Sequence, residues 1–338
     1  MIAATRDYLA EVWEAWNEFW FAPTSPTTLS AIRVLAGAML LYTHLVWSWG
    51  LTDFFGPNGW LPDSVMQTMH QADDDPDGPG PAIGTSPRAI WSHFDYVRTP
   101  WPMTIVHCVA LVTFFLLFIG LFSRIVAVLA FLFAVSYANR ITPGAYFGLD
   151  KINTMLAMYL MVGPCGARYS IDRLWRLRKG ATEVPASSTA NLAIRLIQVH
   201  MCIIYLFSGL AKDRGFHWVV GEATWLSFDM SEYRSLELVT GLVKHPLFLN
   251  FVTHLTVFWE LSYCALVWPK LTRPWVLMMA VLVHGGIIIA LGMPTFGFAM
   301  LIGNLAFVSP KTVRKFCDPV ARRLSLAVVG KAARGAGE

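Results

Sequence analysis

The chain has 338 residues, 55% of them hydrophobic and only 14% charged, with a net charge of +4 and a mean hydropathy of +0.50. Soluble domains carry about 25% charged residues, so an ordinary soluble fold is excluded. The small cationic excess sits in short loops, where it reads as a signal for membrane orientation and not as a nucleic-acid surface.

Residues 1–22 interleave Trp13, Trp16, Phe19 and Trp20 with Asp7, Glu11, Glu14 and Glu18, the pattern of an interfacial amphipathic helix. Eight apolar stretches follow within 23–310: 29–51, 103–122, 125–138, 152–163, 192–211, 251–268, 276–291 and 296–308. A spanning helix needs about 20 mostly apolar residues, and several of these are shorter. The expectation is an all-α polytopic membrane protein, with about eight transmembrane helices in one bundle. The outer loop 52–100 is a turn-rich insertion carrying Asp73, Asp74, Asp75 and Asp77, and 311–338 is a basic tail with a frayed end.

Lysine and arginine set orientation. Arg168, Arg173, Arg176, Arg178 and Lys179 follow the fourth stretch; Lys270 and Arg273 follow the sixth; Lys311, Arg314 and Lys315 follow the last. With eight crossings all fall on one side, so both termini are expected in the cytoplasm of a cell (inner or plasma) membrane protein. Lys212, which ends the fifth stretch, then lies at the outer face.

The five cysteines form no CxxC pair, and the nine histidines show no close ligand spacing, so neither a disulfide framework nor a metal site is expected. Polar residues inside the stretches carry more information, because a charge at mid-helix costs about 2.5–3.5 kcal/mol. Glu260, His284 and Asn304 are such residues, each readable either as a clasp between helices or as part of a site. Gly285 and Gly286 after His284 would let another helix or a ligand approach closely. Gln198, Tyr205 and Lys212 recur every seven residues, near one helix face. Such a polar strip ending at Lys212 is more than a snorkelling anchor requires. Asp213 beside Lys212 is the partner that adjacency suggests.

Several segments, in the same order, resemble the HTTM (horizontally transferred transmembrane) domain family, bacterial relatives of vitamin K-dependent γ-carboxylase. They are "APTSPTTLSAIRVLAGAMLL" with Arg33, "FFGPNGWLP", "LFIGLFSRIVAVLAFL", "GARYSIDRL", "QVHMCIIYLFSGLAKDRGFHWVVGEA" and "VHGGIIIALGMPTFGFAML". Together they cover most of 23–310. The resemblance implies Lys212 as a catalytic base that deprotonates a reduced quinone of menaquinone or vitamin K type. Oxygen then adds and an epoxide forms, and in the carboxylase a glutamate-bearing protein or peptide is carboxylated. Tyr205 and Trp218 fall in the resembling signature helix and His284 in the resembling His-containing span; with Gln198 from the polar strip and Glu260 from mid-span, they are the expected substrate or cofactor pocket. Such a base must be neutral to accept a proton, which takes desolvation or nearby positive charge. The chain departs from the carboxylase in having no counterpart of its large lumenal domain. Where the carboxylase has an Asn-His pair, it reads "ANRITPGAYFGLDKINTM". Two functions follow: a carboxylase-like or quinol-epoxidising membrane enzyme, or a non-catalytic membrane module that assists maturation, export or assembly of a partner.

Overall fold

A computed structural model describes residues 2–65, 91–140, 148–181, 183–230 and 241–334, without the side chains of 2–4 and 324–334. The acidic cluster at Asp73, Asp74, Asp75 and Asp77 lies outside the described residues, as does most of "ITPGAYFGLD". In chain order the helices are α1 (Ile2–Phe21), α2 (Thr27–Trp47), α3 (Leu51–Phe55), α4 (Pro100–Ile119), α5 (Ser123–Asn139), α6 (Gly148–Val162) and α7 (Ile171–Arg178). They continue as α8 (Ser188–Asp213), α9 (Phe216–Val219), α10 (Ala223–Asp229), α11 (Pro246–Leu266), α12 (Arg273–Ala290), α13 (Pro294–Asn304) and α14 (Pro310–Arg334). No strand occurs among the described residues; one isolated bridge joins Thr24 to Ser187.

A helix therefore stands at each of the eight apolar stretches. Among the described residues, four helical stretches are long and apolar enough to cross a membrane: Thr27–Phe55, Pro100–Ile119, Ser188–Asp213 and Arg273–Ala290. At 1.5 Å per residue, α13 with its 11 residues reaches only about 16 Å. The basic tail, whose end was expected to fray, is helical through Arg334.

The helices gather into two compact units, Met1–Ile32 with Glu183–Glu338, and Arg33–Thr182, the boundary falling inside α2. In the Arg33–Thr182 unit, α4 ends at Gly120, whose φ of +71° is the left-handed conformation that glycine adopts without strain. Arg33, fully buried, donates to the carbonyls of Leu117 (2.6 Å), Phe118 (2.7 Å) and Tyr169. Its guanidinium thus helps to cap a helix end, whose last carbonyls have no amide of a following turn to accept from. Asp172 caps the next helix: its carboxylate accepts from the Phe122 and Ser123 amides at 2.9 and 2.8 Å and from Ser123 Oγ at 2.7 Å. Small residues Ala127, Ala130 and Ala134 are buried on α5, which lets α6 pack closely. Arg140 draws in "FFGPNGWLP", donating to Gly56 O, Leu61 O and the Asp63 carboxylate.

In the other unit, α8 shows the inside-out logic of a membrane helix. Cys202, Tyr205 and Gly209 are buried, while Ile203, Phe207 and Leu210 are exposed. Apolar side chains facing outward and polar ones inward suit a lipid solvent. At Gly209 a Cβ would lie 2.9 Å from the Leu261 side chain, so α8 and α11 meet closely there.

Candidate functional site

The site is built where α8 faces α11, α12 and α13 within the unit that holds all four. Lys212, in the last turn of α8, points its Nζ at both Glu260 oxygens, 3.0 and 2.8 Å away. It also donates to Ser208 Oγ at 2.5 Å, one turn back on its own helix. The Trp218 ring of α9 lies 5.2 Å from Nζ, within cation–π reach. Glu260 is 6% exposed and the Lys212 side chain 21%, so this ion pair is largely withdrawn from solvent. The partner of Lys212 is thus Glu260, where adjacency in sequence pointed to Asp213. Consecutive helical residues project to different faces, and only Lys212 shares the α11-facing side.

One turn along α11 from Glu260, a neutral network begins. Tyr263 Oη donates to Asn304 Oδ1 at 2.7 Å. Asn304 Nδ2 donates to Tyr205 Oη at 2.9 Å and to Met300 O at 2.9 Å. Tyr205 Oη lies 2.7 Å from His284 Nε2. The rings pack as well: Tyr205 sits 4.2 Å from Tyr263 and 4.8 Å from Trp259, centroid to centroid. Tyr205 and Lys212 are two turns apart on one face, and Glu260 and Tyr263 are one turn apart, so pair and network line the same helix seam.

Of the residues singled out from sequence, the structure brings together Lys212, Glu260, Trp218, Tyr205 and His284, with Asn304 as the network's hub. Gln198 stands apart. Its amide donates to Ala306 O at 2.8 Å and its carbonyl accepts from Arg195 at 3.0 Å. It lies 14 residues before Lys212, about 21 Å along the helix. The seven-residue spacing placed it on the right face but at another depth, where it clasps a different element.

A family model, the HTTM domain, matches residues 89–311. The chain belongs to the HTTM domain family. The matched HTTM segment contains Lys212, Trp218, Glu260, His284 and Asn304, and begins after Arg33 and "FFGPNGWLP". No curated protein and no solved structure matches the chain.

A second polar cluster went unnoticed in sequence, in the Arg33–Thr182 unit. Tyr137 Oη lies 2.6 Å from His107 Nδ1, and His107 Nε2 lies 2.9 Å from Ser48 Oγ. His44 Nδ1 donates to Leu40 O at 2.7 Å, and both His44 and His93 rings pack on Tyr137. His44 and His107 interrupt apolar runs just as His284 does, and that interruption was the available signal. Among the described residues no group of three or more potential ligands is placed to hold a metal ion.

Proposed function

We propose that this HTTM-domain chain is an enzyme of the cell membrane that takes a proton from a reduced quinone at the Lys212–Glu260 pair. The observation that supports this reading is the pair itself, held between apolar helices beside Trp218. A buried ion pair is a poor stabiliser, since desolvation offsets its Coulombic gain, and neutral side chains would clasp helices at lower cost. Ionisable residues inside membrane bundles are functional by default.

The pair shares one mobile proton. As ammonium and carboxylate it is inert towards an acid of moderate strength. With the proton moved to Glu260, Lys212 presents an amine lone pair. Breaking the ligand O–H bond then forms a new N–H bond on Lys212, while Glu260 keeps its proton. The resulting ammonium stands beside the anion it has created and stabilises it. A reduced quinone of menaquinone or vitamin K type, with dioxygen as co-reactant, would supply the acidic hydroxyl and the oxidising power. The Trp218 ring beside Lys212 and the unpartnered His284 Nδ1 would suit a flat apolar ring bearing oxygens. The purified protein, given reduced menaquinone and oxygen, is expected to form quinone epoxide, read by chromatography. Failure of the wild-type protein to form any would favour the alternative of a non-catalytic module for a partner protein.

We further propose that all eight apolar helices cross the bilayer, with both termini cytoplasmic and Lys212 at the outer face. The grouping of cations supports this orientation. Arg195 lies over the Phe19 ring at 4.3 Å and near Trp268, Arg273 donates to Val267 O and Trp268 O, and Arg314 donates to Ser25 Oγ. These cations gather at the end of α8 remote from Lys212, as positive-inside orientation requires. In a cysteine-free background, Phe216→Cys and Lys315→Cys should react with an impermeant thiol reagent from opposite sides. Labelling of both from one side would overturn the topology.

A further inference from the structure

His284 is 3% exposed, yet its Nδ1 has no hydrogen-bond partner. The network around it decides which nitrogen carries the proton. Both hydrogens of the Asn304 amide are used, one on Tyr205 Oη and one on Met300 O. Asn304 Oδ1 is itself occupied by Tyr263. Tyr205 therefore receives one hydrogen and has its own to give, and the acceptor 2.7 Å away is His284 Nε2. If Nε2 instead carried the proton, the Tyr205 hydroxyl would keep a hydrogen with no acceptor and Nδ1 would hold an idle lone pair. That arrangement leaves two buried groups unsatisfied in place of one, and each costs desolvation free energy. The chain Tyr263 → Asn304 → Tyr205 → His284 thus runs in one direction and ends in a single N–H donor.

A buried donor without a partner calls for an explanation. A Cβ added at Gly285 or Gly286 would meet no atom within 4 Å, so the surface of α12 at the two positions after His284 is open.

Resting on the quinol reading above, we propose that His284 Nδ1–H donates to an acceptor oxygen of the apolar ligand, with Tyr205 fixing the tautomer that makes it a donor. His284 is then a specificity residue for ligands with two oxygens: one that gives up its proton to the Lys212–Glu260 pair, and one that accepts from Nδ1. Tyr205, Asn304 and Tyr263 are positioning residues.

Two isosteres of histidine separate this role from a structural one. An asparagine amide nitrogen stands near the Nδ1 position, and a glutamine amide near Nε2. Menadione is added to the ¹⁵N-histidine-labelled protein in nanodiscs, with binding read by tryptophan quenching and the His284 Nδ1–H resonance by NMR. The expected results are a Nδ1 resonance that moves on adding menadione and affinity retained in His284→Asn. Affinity should fall about tenfold in His284→Gln, the loss of one buried hydrogen bond. Tyr205→Phe is expected to free the tautomer and weaken binding as well. A merely structural His284, serving Tyr205 through Nε2, would reverse the order, with Gln tolerated and Asn not. Wild-type binding that is unchanged in His284→Gln, with an unmoved Nδ1 resonance, would overturn this inference and leave the quinol reading standing. An absence of menadione binding by the wild type would overturn both.

Discussion

Lys212→Arg is expected to give a folded protein that forms epoxide from reduced menaquinone far more slowly than the wild type. A guanidinium keeps the charge and can still pair with Glu260, but it does not surrender a proton within a protein. A positioned proton acceptor contributes about 10²–10⁴-fold to rate, and turnover should fall by that factor. Lys212→Met should slow the reaction too, but it is the less informative variant. It strands the Glu260 carboxylate at 6% exposure, and removing one partner of a buried pair costs about 3–5 kcal/mol. Because Lys212 keeps some solvent contact, the lower end of that range is expected. The double variant Lys212→Met/Glu260→Gln removes both charges and should recover most of the lost stability without recovering turnover. Thermal unfolding in detergent and epoxide yield, measured on the same preparations, separate the two effects. Wild-type turnover in Lys212→Arg would eliminate proton transfer at this pair.

The positions of the helices were legible in sequence because apolar run length is a strong, local signal. Membership of a polar interior was legible for Glu260, His284 and Asn304 for the same reason, since each interrupts such a run, and for Tyr205 from its seven-residue spacing to Lys212. What pairs with what was not. Lys212 and Glu260 are 48 residues apart, and nothing local links them. Asp213 drew attention by adjacency, although adjacent helical residues diverge in direction. Gln198 shows the complementary error, since a shared helix face does not imply a shared depth. His44, His93 and His107 come from two α-helices and a short 3₁₀ turn of the Arg33–Thr182 unit, and only folding places them around Tyr137. The sequence motifs "LFIGLFSRIV" and "GARYSIDRL" looked like one resemblance among several. The structure gives them a physical reason: they are the two sides of a helix-capping clasp.

That clasp carries an expected effect on stability of similar size to the loss of the Lys212 charge. Arg33→Met is expected to lower unfolding free energy by about 3 kcal/mol, because it withdraws charge-assisted hydrogen bonds from buried carbonyls. The amide of Gly120 still reaches Leu116 O and Leu117 O, so the loss falls mainly on Phe118 and Tyr169. Gly120→Ala should be comparably harmful by a different route. Its Cβ would lie 2.7 Å from Arg33 Nη1 and 2.5 Å from Ser170 Cβ. The left-handed backbone adds about 1–2 kcal/mol for any residue bearing a Cβ. The two sites touch, so their effects should not add. With Arg33 shortened to methionine, part of the space demanded by the alanine is vacated. A double-mutant cycle should therefore show about 1 kcal/mol less destabilisation than the sum of the singles. Strict additivity would mean that Gly120 is required only for its backbone conformation. Destabilisation beyond the sum would mean that Arg33 does not occupy the space beside Gly120 in the folded protein.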